Sequence, residues 1–343
     1  GFEKFIQGRP YWEVPVMVQR LCGICPVSHH LAAAKAMDQV VGATPTPTAV
    51  KIRRLMHHGQ ILQSHALHFF HLASPDLLFG FAAEPAGRNL VGVIAAHPEI
   101  ARKGVLLRKY GQEVIRLTAG KRVHGTGAIP GGVNKSLAAE ERAALQVEIG
   151  QIIDWCGDAV QLIKHLFERN QAAFNAFGRC AAHGMGLVRA DGAMDLYEGG
   201  LRARRADGST LFDHFDYHRY WDAIVEDVKP WSYMKFPFFR ALGSSAAGWY
   251  RVGPLTRVTQ CDFIPTPLAD RERSEFLAFP GAAGATPGYH WARMIEMLHA
   301  AESIESLLRD DDIVGRDLMA SGQRQERGVG VIEAPRGTLI HHY

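Results

Sequence analysis

No apolar run in these 343 residues approaches the roughly 20 that a bilayer span needs, so the sequence offers no membrane helix. Charge is also scarce. Only 21% of residues are charged and the formal net charge is +3, too little and too dispersed for a nucleic-acid surface or a basic membrane tail. Cysteine is sparse: five residues, an odd number in irregular contexts, which excludes a disulfide framework and fits a reducing cytoplasm. No secretory or twin-arginine leader is read in these residues, although the chain opens at Gly1 without methionine, so an upstream piece is expected to be missing. What is abundant is apolar material. At 47% hydrophobic, the chain can bury a large core in one domain or two.

Helical periodicity dominates. Residues 26–41 predict a helix with Pro26 in its first turn, an alanine-rich body and Gly42 after its end. Residues 47–74 predict a long amphipathic helix, with Ile52, Leu55, Gly59, Leu62, Ala66 and Phe69 at helical spacing and Ser74-Pro75 as its stop. A third helix is expected over 98–118, closed by Gly120, and a very long one from an N-cap at Ser136 to about 177. Residues 217–228 and 289–308 also read as helix. Asp191-Gly192 and Asp207-Gly208 mark hairpin turns in a β-rich insert, about 184–214, expected on the periphery. The last segment reads as strand, turn, strand through Tyr343. The fold class is therefore mainly α (α+β): a long-helix bundle core with small antiparallel β hairpins, read as one domain over 1–343 that looks cut at both ends.

The most informative run is Arg20-Leu21-Cys22-Gly23-Ile24-Cys25-Pro26-Val27-Ser28-His29-His30. Two thiols three residues apart can face one metal, and a helix N-terminus beside them favours thiolate. Taken alone, the run also suits half of a structural zinc site, a thioredoxin-like dithiol or a chance pair of core cysteines. Zinc would need a second pair, and Cys156, Cys180 and Cys261 stand alone. A thioredoxin-like fold would need short alternating strands and helices, whereas the neighbours here are long helices.

Two further motifs decide between these readings. They are Lys121-Arg122-Val123-His124-Gly125-Thr126 with Pro130-Gly131-Gly132, and Glu333-Ala334-Pro335-Arg336-Gly337-Thr338-Leu339 with His341-His342-Tyr343. With these three motifs in this order, the whole chain resembles the large subunit of nickel-iron hydrogenases, most closely the cytoplasmic NAD-reducing group. The resemblance implies reversible heterolytic cleavage of H2 at a nickel-iron centre carrying carbon monoxide and cyanide. It also implies a small partner subunit with an iron-sulfur (Fe-S) cluster, and diaphorase subunits with a flavin (FMN) that reduce NAD. Another acceptor, such as NADP, ferredoxin or a deazaflavin, would leave nearly the same sequence.

By the resemblance, Cys22 is a terminal nickel ligand, Cys25 a bridging one, and His29 the histidine that hydrogen-bonds the bridging sulfur. Glu3 matches a ligand of a magnesium (or calcium) site. Arg336 matches the arginine held over the open metal face, either as an electrostatic group or, more daringly, as the base that splits hydrogen. Pro335 would line the pocket of the diatomic ligands. Ser64 stands where many relatives carry an aspartate near that arginine. The resemblance places an E-G-H segment before Gly1, and a D-P-C-x-x-C-x-x-H segment with the other two thiolates after Tyr343.

His57, His58, His65, His68 and His71 share one helix, but no carboxylate accompanies them at the spacing of bundle metal sites. They read as hydrogen-bonded core or groove residues, with His65 on a proton or gas route. The glycine-rich loop 125–132 lacks nucleotide-binding signatures and reads as packing or gating. The rival reading is a non-catalytic scaffold like the related subunit of respiratory quinone-reducing complexes. Retention of Cys22, Cys25 and Arg336 argues against it.

Overall fold

The structure is a computed structural model that describes residues 1–343. Its frame is a set of long helices: α1 (Pro26–Val40), α2 (Pro47–Leu67), α3 (Pro98–Ala119), α4 (Ala139–Arg169), α5 (Pro254–Gln260), α6 (Pro267–Ala278) and α7 (Gly288–Arg309). Helix α2 packs on α3, and α7 on both α2 and α4. The α2–α3 crossing is close because glycine faces glycine. A Cβ on Gly111 would lie 2.7 Å from the Gly59 carbonyl oxygen. Trp291 on α7 anchors the far side of the core, in ring contact with Phe167, Phe276 and Phe279.

Several sequence expectations shift. Ser74-Pro75 does not stop the second helix. The chain passes through a π-helical stretch, His68–Ala73, and re-enters α-helix at Ser74–Phe79, with proline tolerated in that first turn. The Ser74 hydroxyl donates to the Phe70 carbonyl (2.7 Å) across the junction. Helix α4 starts three residues after Ser136. Its first turn is closed by the Glu141 carboxylate, which accepts from the Ala138 amide at 3.0 Å. The expected helix over 217–228 is only a 3-10 turn, Tyr217–Arg219, and one helical turn, Tyr220–Ala223. Residues Ile224–Val228 then form a strand paired antiparallel with Lys235–Phe239. Here the β-branched Ile224, Val225 and Val228 find an aromatic partner strand, and pairing overrides the helical pattern.

The β-insert consists of β1 (His183–Val188), β2 (Gly200–Arg204) and β3 (Thr210–Phe215), antiparallel in sequence, with Tyr250–Arg251 added parallel to β1. Both predicted turns form, with Gly192 and Gly208 at positive φ. Only its outer edge is peripheral. Strand β1 is buried from Gly184 to Val188 and packs against the C-terminal hairpin, β4 (Val329–Ala334) and β5 (Gly337–His342).

That hairpin lies on α1, where the alanine-rich sequence acquires its purpose. Every α1 residue except His29 and Gln39 is buried, and Gly330 sits so close that a Cβ there would fall 2.0 Å from the Ala32 carbonyl oxygen. This contact brings the Pro335-Arg336 turn alongside the N-terminus of α1. Gly330→Val is expected to force helix and strand apart, costing about 3 kcal/mol. A urea midpoint unchanged from the parent would refute the close-packing argument.

Candidate metal site at the C-x-x-C turn

Cys22 is extended at the end of a 3-10 turn, and Cys25 is the N-cap of α1. Between them the chain folds back, so that the backbone amides of Ile24 and Cys25 point at the Cys22 Sγ at 3.4 and 3.2 Å. Helix α2 grips the turn from behind. The side-chain amides of Gln60 and Gln63 both donate to the Ile24 carbonyl, at 2.9 and 2.7 Å. Nothing in the sequence marks either glutamine. Only their helical spacing of three, placing both on one face, could have suggested a shared target.

Both thiols are partly exposed. Burial works against ionisation of Cys22, but hydrogen bonds from Cys25 and the backbone, with the positive charge of Arg336, bring its pKa below the ordinary thiol value. Burial and the neighbouring Cys22 push Cys25 up to about 12. The pair therefore holds one proton far more tightly than the other. Arg336 lies close enough to favour the thiolate of both. It projects from the β4–β5 turn, exposed and without a hydrogen-bond or carboxylate partner in the chain, while Pro335 beside it is buried.

His29 is half-buried on α1. Its Nδ1 pairs with His341 Nε2 at 3.2 Å, and His341 Nδ1 in turn meets the Tyr343 hydroxyl at 2.6 Å. No hydrogen bond joins His29 to Cys25, and its Nε2 has no protein partner. The next histidine, His30, is wholly structural. Its Nδ1 bonds the Pro15 carbonyl at 2.7 Å and its Nε2 accepts from the Ala128 amide at 3.0 Å, tying the first motif to the glycine-rich loop. That loop packs tightly: Gly127 lies against the Thr118 carbonyl, and the Gly131 amide donates to Asp38 at 2.7 Å.

Glu3 lies on an exposed turn, Phe2–Phe5, without a hydrogen-bond partner. No group of three or more His, Cys, Asp or Glu side chains is arranged so that it could hold a metal ion. Cys156 is buried inside α4, Cys180 is exposed, and Cys261 is buried beside the Val258 carbonyl. None of the three joins the pair. The donor chemistry at Cys22 and Cys25 suits a soft, thiolate-loving metal, and this chain supplies two such donors to it.

Of the five histidines of α2 and its continuation, His57 and His65 are hydrogen-bonded as expected, His68 is only stacked, His58 makes no hydrogen bond, and the buried Nδ1 of His71 has no partner. His57 Nε2 reaches the Leu196 carbonyl (2.9 Å), His65 Nε2 reaches Glu296 (2.9 Å), and His68 stacks on His290. Ser64 is buried and its hydroxyl has no partner. A second feature was not read from the sequence at all: a fully buried ion network of Arg257, Glu296 and Glu333 directly behind the Pro335-Arg336 turn.

This thiol pair offers half of a thiolate metal site, and comparison with known proteins supplies the class. The sequence profile described as nickel-dependent hydrogenase matches residues 1–86, which include the C-x-x-C turn. The chain is 44% identical over 360 residues to the NAD-reducing hydrogenase HoxS subunit beta of Cupriavidus necator, covering all of this chain and 73% of that protein. It is 43% identical over 345 residues to a chain of the vhu F420-non-reducing hydrogenase of Methanococcus voltae, covering all of this chain and 81% of that protein. A crystal structure of an NAD+-reducing [NiFe]-hydrogenase in the H2-reduced state superposes with a TM-score of 0.98 at 58% identity, over all of this chain and 76% of that one. The chain belongs to the nickel-dependent hydrogenase large-subunit family.

Proposed function

We propose that this chain is the hydrogen-activating subunit of an NAD-reducing nickel-iron hydrogenase, catalysing reversible heterolytic cleavage of H2. The observation that carries this reading is the pair Cys22–Cys25 on one turn, held by Gln60 and Gln63, with the unpartnered Arg336 close to both sulfurs. When bound, a nickel-iron centre with carbon monoxide and cyanide ligands would supply the two-electron chemistry that no side chain offers. Cys22 would be a terminal and Cys25 a bridging thiolate. His29, its Nδ1 already committed to His341, presents Nε2 as the nitrogen available to a sulfur. Pro335 would wall the pocket and Arg336 orient and polarise what binds there.

Electrons would leave through an iron-sulfur small subunit, then through a flavin-containing diaphorase pair to NAD, because five scattered cysteines leave none for a cluster in this chain. The 58% identity and TM-score of 0.98 to a solved NAD+-reducing enzyme support NAD as the acceptor. Glu3 would give one oxygen to a magnesium or calcium ion. We read residues 1–343 as one domain and its setting as cytoplasmic. No helix is long and apolar enough to cross a membrane.

The test is the infrared spectrum of the native complex, in the region where metal-bound carbon monoxide and cyanide absorb. Bands that shift under hydrogen are the expected result. Their absence from an intact, nickel-replete preparation would sink this reading and promote the scaffold alternative.

A further inference from the structure

The turn that presents Arg336 is held from behind by a residue to which the hydrogen-activation reading gives no role. Arg257, on α5, is 1% exposed. Its Nη1 donates to Glu333 Oε2 at 2.8 Å and to the Ala334 carbonyl at 2.9 Å, and its Nη2 reaches the Pro335 carbonyl at 3.5 Å. Three consecutive residues leading into Arg336 are therefore tied to one guanidinium. The other edge of the fork grips Glu296 on α7: Nε to Oε1 at 2.6 Å and Nη2 to Oε2 at 2.7 Å.

Neither carboxylate is left with an idle oxygen. Glu296 Oε2 also meets His65 Nε2 from α2 at 2.9 Å, and Glu333 Oε1 accepts from the Leu187 amide of β1 (3.0 Å) and the Thr338 hydroxyl (2.8 Å). The clamp thus anchors the turn to α2, α5, α7 and β1 together. Backbone packing reinforces it. Gly253, just before α5, has φ +97° and lies so near Arg336 that a Cβ would come within 2.8 Å of its carbonyl oxygen. Burying three charged groups is costly unless the geometry is well satisfied. Here all three guanidinium nitrogens have acceptors, and this construction stands immediately behind Arg336, whose own guanidinium has no partner in the chain.

We propose that Arg257 is a positioning residue for Arg336, and that its planar fork, beyond its charge, fixes where the Arg336 guanidinium stands over the two thiols. The proposal rests on the hydrogen-activation reading of that site. Lysine at 257 would keep a positive charge among the carboxylates. As a point donor it could not span Glu296, Glu333 and two carbonyls at once.

The experiment compares the native complex with complexes carrying Arg257→Lys and Glu333→Gln. The readouts are nickel content, kcat and KM for H2, and the infrared bands of metal-bound cyanide and carbon monoxide. With Arg257→Lys the cyanide bands are expected to move and broaden as Arg336 loses its single position. A misplacement on the order of 1 Å makes kcat fall about 10²-fold, with KM for H2 unchanged. Glu333→Gln places an N–H against a donor in either amide orientation, and is expected to shift the same bands with a smaller loss.

Unmoved bands and an unchanged kcat in either nickel-loaded variant overturn the proposal. If Arg257→Lys does not load nickel, Glu333→Gln decides on the same readouts. Failure of both to load counts against positioning and for a purely structural role. A parent complex without such bands overturns the hydrogen-activation reading itself, so the two failures are distinguishable.

Discussion

Arg336→Lys is expected to lower hydrogen turnover by about 10²- to 10³-fold with the metal centre still assembled. The side chain stands exposed over the thiol pair without a carboxylate partner, so its donors are uncommitted within this chain. Its charge already reaches both sulfurs, favouring the thiolate of Cys22 and opposing the burial that pushes Cys25 up to about 12. Lysine would restore much of that field but not the rigid fork, and a preorganised donor pair is where most of the stabilisation resides. Hydrogen–deuterium exchange separates the two roles considered for this residue. Slow turnover with near-normal exchange removes Arg336 as the essential base and leaves an electrostatic role. Loss of both in an enzyme with normal nickel content and infrared bands makes it the base. Full turnover in Arg336→Lys would discard both roles.

The parts of this site that were legible in the sequence are those packed into short contiguous runs. Cys22, Cys25 and His29 declare themselves because one turn and the first helical turn after it bring them together. Pro335 and Arg336 were read from the resemblance of their motif, which is contiguous because it spans one two-residue hairpin turn. What stayed hidden is held across long separations. Gln60 and Gln63 meet Ile24 through the α1–α2 packing, and Arg257 meets Glu296 and Glu333 across 39 and 76 residues. A buried ion network has no periodicity, so Arg257 reads as one more polar helix residue until its burial is seen.

The misplaced elements have similar causes. Residues 217–228 have a helix-compatible pattern until the strand Lys235–Phe239 supplies a partner. The β-insert looked peripheral because nothing in its sequence shows that the Leu187 amide completes Glu333. Even His29 was only half legible: its place near Cys25 follows from spacing, whereas its bond to His341 requires α1 to lie against β5.

Acidification from pH 6.5 is expected to destabilise the protein sharply, well before its carboxylates protonate. At least eight histidines are held neutral by burial, among them His58, His68, His290 and His341 and four more wholly enclosed by the helix packing. Burial pulls His30, His65 and His299 down to about 4 and His57 down to about 3, from an ordinary value of 6.5. For His30 the reason is visible atom by atom. Its Nε2 must accept from the Ala128 amide while Nδ1 serves the Pro15 carbonyl, so a second ring proton would set one N–H against another. Above pH 6.5 the histidines are neutral folded or unfolded, and their contribution is fully present. Below it the unfolded chain takes up protons that the folded one refuses, and stability drains away until the folded values near 4 and 3 are reached.

At pH 5.5 each such histidine costs about 1.4 kcal/mol, so the four together cost about 6 kcal/mol. That is comparable to the whole stability of a typical domain. The buried carboxylates act elsewhere or in the opposite sense. Glu296, which burial would raise but Arg257 and His65 draw down to about 2, loses its contribution only below 4.5. Glu333, raised by burial against the pull of Arg257, binds its proton more readily folded than unfolded and so gains slightly on acidification.

Urea midpoints at pH 7.5 and 5.5 should therefore differ greatly, with a slope near pH 5 of at least about four protons taken up on unfolding, and more as His58, His68, His290 and His341 add to it. His57→Gln, keeping a donor toward the Leu196 carbonyl, should remove about one proton from that slope. A flat midpoint between the two pH values would mean that these rings are not held neutral. Because the partners of His30 and His57 are backbone groups and the Gln19 amide, none of them a thiol, the same acid limit should be found in a preparation without metal. The pH at which the protein fails is thus set by its helix packing, independently of any proton that the thiols exchange.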